Sequence, residues 1–171
     1  MYFVIIQQFQ RSLQALDAIL GKAVAHAEAK KFSPDNFLAQ RLAPDMLPFA
    51  RQVQIACDAA KRAAATLTGK EAPTHEDTEK TMAELRERIR KCLAFLATFR
   101  EEDFRDVSPK KEIKLPNPAG KAMHAGDALI GRSVPNFFFH MTMTYALLRA
   151  GGVDIGKADF LGDLPMFDAS K

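Results

Sequence analysis

The sequence predicts an all-α protein, a four-helix bundle with a small hairpin or irregular crossover between helices three and four. Three observations predict it. Apolar residues recur at alternating spacings of three and four along most of the chain, the period of an amphipathic helix. Turn chemistry interrupts that period at Ser33-Pro34-Asp35-Asn36, at Gly69 and at Gly151-Gly152. One stretch, residues 105–126, loses the helical period altogether. Amphipathic helices joined in this way bury their stripes against one another around a shared core.

The first helix is expected over residues 3–30, where Ile6, Phe9, Leu13, Leu16, Leu20, Ala23 and Ala27 form the stripe and Gln8, Arg11, Gln14 and Lys22 the opposite face. The second is expected over 45–68, with Asp45 as its cap, Pro48 tolerated in the first turn and Gly69 as its stop. Its stripe is Met46, Phe49, Val53, Ala56, Ala60, Ala63 and Leu67. The third is expected over 77–99 on Met82, Leu85, Ile89, Cys92, Leu96 and Phe99, with the acidic Glu76, Asp77 and Glu79 at its positive end. Its charged residues read as a solvated face. Glu112-Ile113-Lys114-Leu115 alternates as a strand, Pro116-Asn117-Pro118-Ala119-Gly120 as a turn, and Lys121 to Ala125 as a return strand. A fourth helix over 127–150 is expected to be capped by Asp127 and kinked by Pro135, whose ring crowds the position of Gly131. Residues 153–171 read as a surface tail docked through Ile155, Phe160 and Leu161.

The 171 residues suit one domain, 1–171, long enough to bury a core without staples. Hydrophobic residues make up 47% and charged residues 26%, as in soluble globular proteins. A net charge of +3 from 24 basic and 21 acidic residues is too even for a nucleic-acid partner. Between Lys70 and Lys114 there are 11 charges of each sign. No apolar run reaches the roughly 20 residues of a membrane span. No leader peptide is expected, and Cys57 and Cys92 fall within apolar stripes as small core residues. These features point to a cytoplasmic protein. The fourth helix is apolar nearly all round, from Phe137 to Leu148, so it is either central or shared with a second copy, which points to a homodimer.

The candidate chemistry lies mainly on helices two and four. Asn136 and His140 stand four residues apart, one helical turn, on the most apolar helix. Such a pair is either a buried hydrogen-bonding device or part of a ligand site. His140 is the one histidine within a buried pattern. Asn136 could serve a guest, or bond carbonyls freed by Pro135. Gln52 and Gln54 border the stripe of helix two, and Asp45 and Asp58 offer carboxylates there, Asp45 as a cap and Asp58 as a water-facing group. Metal-protease, phosphate-loop, dinucleotide and nucleophile-elbow motifs are missing from the sequence.

Four stretches carry a family resemblance: Arg41-Leu-Ala-Pro-Asp-Met-Leu-Pro48, Arg51-Gln-Val-Gln-Ile-Ala-Cys-Asp58, Pro135-Asn-Phe-Phe-Phe-His140 and Gly156-Lys-Ala-Asp-Phe-Leu-Gly162. With the helix layout they make the chain resemble an uncharacterised, domain-of-unknown-function branch of the DinB/YfiT-like four-helix superfamily. That resemblance implies a metal-dependent ancestry. Several members use a small thiol cofactor in transferase or isomerase chemistry, with metal held by three histidines, one on helix two and an HxxxH pair on helix four. In register, His140 falls on the second histidine of that pair and Asn136 on the first. The helix-two position falls on Gln54, with Gln52 the alternative.

The chain thus departs from the implied ligand set at two of three positions. An imidazole with two amide oxygens and no anionic donor is a poor set for zinc or nickel. The expectation is a polar pocket around His140, Asn136, Gln54 and Gln52 that binds an unknown small molecule, without a tightly bound divalent metal. His140 is the one candidate metal ligand. Its rivals are a metal-dependent, thiol-cofactor-using transferase or isomerase, and a non-catalytic structural dimer.

Overall fold

The computed structural model describes residues 1–115 and 118–169. Helix α1 spans Tyr2–Ala29, and the stripe from Ile6 to Ala27 is fully buried along it. A 3-10 turn, Pro34–Phe37, follows, with the Ser33 hydroxyl accepting from the Asp35 amide at 3.3 Å. The Asp35 carboxylate reaches across the bundle and accepts from the Met82 amide at 2.7 Å, tying this turn to the start of α3, Met82–Leu96.

Helix α2 is Phe49–Thr68, four residues shorter at its start than the periodicity predicts. Pro48 is extended, at φ −71° and ψ 164°, and occupies the cap position. Leu47 precedes a proline, which disfavours helical backbone, so the helix begins only after the ring. Asp45 is therefore no cap and lies exposed in the preceding turns. At the other end Gly69 adopts φ +81° and donates its amide to Ala65, the left-handed stop that glycine accommodates without strain.

Helix α3 also starts late. Thr81 accepts from the Glu84 amide at 3.2 Å while the Glu84 carboxylate accepts from Thr81 at 3.0 Å, a capping box that sets the first turn. Asp77 and Glu79 consequently lie outside the helix. They bind arginines rather than complementing its dipole. The helix ends at Leu96, and Phe99 is buried in the loop beyond it.

After a second 3-10 turn, Glu101–Phe104, strands β1 (Glu112–Lys114) and β2 (Ala122–His124) pair antiparallel, with Ile113 opposite Met123. The predicted turn residues Pro116 and Asn117 lie outside the described residues, as do Ser170 and Lys171 at the end of the tail. The chain then re-enters helix at α4, Ala125–Asp127, so Asp127 sits inside helical backbone and caps nothing. Residues Ala128–Ser133 form a wider π-helical turn, and α5 runs Val134–Ala150. Pro135 has no amide to donate and its ring crowds the turn behind it. Widening that turn accommodates both, and the Ser133 hydroxyl donates to the Ala128 carbonyl at 3.0 Å.

Helix α5 packs chiefly on α2, which also carries α3, while α1 crosses α3, α2 and α5. Phe9 of α1 meets Phe137 of α5 with ring centroids 4.5 Å apart at the middle of the core. The tail forms α6, Lys157–Leu161, which lies on α1 through the Lys22–Asp159 ion pair. Ile155 is buried and Phe160 half-buried against Tyr145, but Leu161 is 42% exposed and does not anchor the tail. Among the described residues, no helix is long and apolar enough to cross a membrane.

Candidate functional site

Helices α2 and α5 run antiparallel, and their contact line holds the predicted site residues. At its centre, His140 Nδ1 lies 2.7 Å from Gln52 Oε1, both side chains buried. The roles in this pair follow from the far end of the amide. Gln52 Nε2 donates to the Leu47 carbonyl at 3.0 Å, and a carbonyl can only accept, so the oxygen end faces His140. His140 must then carry its proton on Nδ1 and its lone pair on Nε2. Burial, then the positive charge of Arg51, pushes the His140 pKa below the ordinary histidine value, which keeps the ring neutral.

Gln54 points elsewhere. Its oxygen accepts from Arg51 at 2.7 Å and its nitrogen donates to Glu79 at 2.8 Å. The α2 residue that faces His140 is therefore Gln52, because residues two apart on a helix do not share a face. Asn136 does not join the buried pair either. Its side chain is exposed, makes no hydrogen bond to any described residue, and lines a cavity of about 210 Å³ with Arg51, Asp58, Asp77, Arg132 and Ser133. Ile55 and Ala59 add apolar surface to its lining. The predicted set thus divides between a closed pair, His140 with Gln52, and an open groove at Asn136, with Arg51 lining the groove and its charge acting on His140.

Arg88 is the residue whose role sequence reasoning missed. It is 2% exposed and holds three carboxylates at once, Asp58 at 3.1 Å, Asp77 at 3.0 Å and Glu79 at 3.0 Å. Burial opposes its charge, but the hydrogen bond to Glu79 and the carboxylates around it hold its pKa above the ordinary arginine value. Asp58, expected to face water, is held by Lys61 and Arg62 as well. Lys61 is buried too and donates to the Pro73 carbonyl at 2.8 Å. The signal was in the spacing. Leu85, Arg88 and Cys92 continue one stripe at steps of three and four, as do Cys57, Lys61 and Ala64, so both cations sit on core faces.

Cys57 and Cys92 are fully buried, with the Cys92 thiol donating to the Cys57 carbonyl at 3.3 Å. Contact with Cys92, then burial, pushes the Cys57 thiol well above the ordinary value, so it has no thiolate character. Among the described residues, no three His, Cys, Asp or Glu side chains converge where they could hold a metal ion.

A family model, Domain of unknown function (DUF1993), matches residues 1–161. Among solved structures, the chain is similar to a DinB family member protein from Shewanella denitrificans at 43% sequence identity, with a TM-score of 0.90 over 96% of this chain and 93% of that chain. No curated protein matches it.

Proposed function

The chain belongs to the DUF1993 family of DinB-like helical bundles, and from that premise we propose that it binds a small molecule in the polar groove at Asn136, with no tightly bound divalent metal. The reading is carried by one observation: Gln52 closes on His140 inside the bundle, while Asn136 faces an open groove of about 210 Å³ beside that pair. The donor chemistry supports it. Both ends of the Gln52 amide are in use, as are both ends of the Gln54 amide. That leaves the Nε2 lone pair of His140 as the one nitrogen donor of the set, with no anionic partner, which does not fit zinc or nickel. In this reading the protein works in the cytoplasm, where Cys57 and Cys92 stay thiols.

Elemental analysis of protein purified without chelator tests the metal half of the proposal. The expected transition-metal content is far below one per chain; a stoichiometric metal that disappears in His140→Ala overturns it. A thermal-shift screen against thiols and small organic acids tests the pocket, since a ligand that binds only the native state raises Tm. The expected hit is lost in Asn136→Trp, which fills the groove from an exposed position. A screen without hits sinks the reading.

One observation favours a second reading, a metal-dependent transferase or isomerase using a thiol cofactor: the neutral His140 ring presents Nε2 as an unprotonated donor. Under that reading Asn136→His, which restores an imidazole one turn away, raises zinc or nickel affinity. We also propose a second copy of this chain as partner, on the outer face of α5, where Phe139 is 54% exposed.

A further inference from the structure

We infer that the groove takes a short-chain carboxylic acid, its carboxylate at Arg132 and its alkyl chain in an adjoining apolar cavity; this rests on the small-molecule reading above. The groove shares Arg62, Arg132 and Ser133 with a second cavity of about 70 Å³. That cavity lies between α2, the hairpin and the π-helical turn, and its walls include Leu67, Ile113 and Leu129. A polar space and an apolar space therefore meet at two guanidinium groups, the arrangement an amphipathic anion fills.

The charges around the groove call for an anion. The groove itself is lined by three cations, Arg51, Arg62 and Arg132, and by two carboxylates, Asp58 and Asp77. Both carboxylates already bind buried Arg88, and Asp77 pairs with Arg51 and Asp58 with Lys61 as well. Arg62 is left with a 3.4 Å contact to Asp58, and Arg132 has no carboxylate partner among the described residues. A planar guanidinium pairs with a carboxylate through two parallel hydrogen bonds, and the exposed Asn136 amide lies on the same wall to add a donor. Size sets the chain length. A cavity of roughly 150 Å³ holds benzene, so one about half that size admits two to four carbons. Phosphate matches the charge and leaves the apolar cavity unused, while a long acyl chain overfills it.

Calorimetric titration of the full chain with acetate, butyrate, 1-butanol, inorganic phosphate and the thiol 2-mercaptoethanol tests this, with the Asn136 side-chain amide followed by 15N NMR. The expected result is tighter binding of butyrate than of acetate, by about fourfold for each added methylene, the fold-change for burial of one CH2 group. Butanol binds at least tenfold more weakly than butyrate, and so does butyrate to Arg132→Gln, an exposed change that leaves Tm in place. Equal affinity for acetate and butyrate, equal affinity for butyrate and butanol, tighter binding of phosphate, or an unaltered Arg132→Gln each overturns the inference. If no acid binds but a thiol moves the Asn136 amide, the acid is wrong and the groove still stands as the site. If no compound moves that amide, both fall.

Discussion

His140 is held neutral by its surroundings, and that neutrality has a sign in stability. Its pKa lies below the ordinary 6.5 in the folded chain, so below that pH the unfolded chain takes up a proton that the folded chain refuses. Stability is full above about pH 6.5 and is lost as pH falls toward the folded value. His75 contributes with the same sign, since burial and then Lys61 lower its pKa. Thermal melts between pH 7.5 and pH 5 are therefore expected to lose part of their slope in His140→Gln, and more in the double variant with His75→Gln. An unaltered slope in the double variant refutes the account. Arg88 is the other residue with large leverage. Replacing it by alanine removes the one buried cation that Asp58, Asp77 and Glu79 share and leaves them crowded around a vacated position. The expected cost in urea unfolding is about 3 kcal/mol, the lower end for a broken buried pair because Asp77 is partly hydrated. Arg88→Lys is expected to recover only part of it, because one ammonium cannot serve three carboxylates in a planar fork.

At the scale of elements, the helix ends are decided by short-range chemistry. Pro48 delays α2, the Thr81–Glu84 box delays α3, and Pro135 widens the turn before α5. That widening matters to the site because Arg132 and Ser133 lie in the widened turn and line the groove. The C-terminal end of α5 depends on a close approach instead. A Cβ at Gly151 would stand 2.7 Å from Cε1 of Phe37, a ring that is 1% exposed. Gly151→Ala is expected to cost about 1–3 kcal/mol through overpacking, since the backbone there is otherwise ordinary. Phe37→Leu removes the clashing atom, so a double-mutant cycle should show strong coupling between the two sites; additivity would rule out this contact as the cause.

At the scale of the molecule, one buried charge cluster pins the segment between α2 and α3 to both helices. Arg88 binds Asp77, Glu79 and the Glu76 carbonyl, Lys61 binds the Pro73 carbonyl, and Gln54 binds Glu79. Asp58 and Asp77, which Arg88 holds, also line the groove, so one side of its wall is coupled to the buried cluster. The outer face of α5 is the other large-scale feature. Sedimentation equilibrium is expected to give a dimer for the native chain and a monomer for Phe139→Glu, whose exposed position tolerates the charge in the folded monomer. A monomer at all concentrations in the native chain removes the proposed partner.

Periodicity alone determined the four main helices, the hairpin and most of the core, because burying a stripe at steps of three and four leaves few other arrangements. The same residues placed the candidate site on helices two and four. Tertiary structure decided which polar groups meet. Gln52 and Gln54 are two residues apart and look alike in sequence, yet one faces His140 and the other faces Glu79. Asn136 and His140 share a helix and one turn, yet one is open and the other closed. Asp77 and Glu79 read as a helix start and became partners of Arg88. The reason is physical. Apolar burial is additive and nearly direction-free, so a one-dimensional pattern predicts it. Hydrogen bonds and ion pairs need a donor and an acceptor within about 3 Å at a set angle, and only the packed chain brings them there.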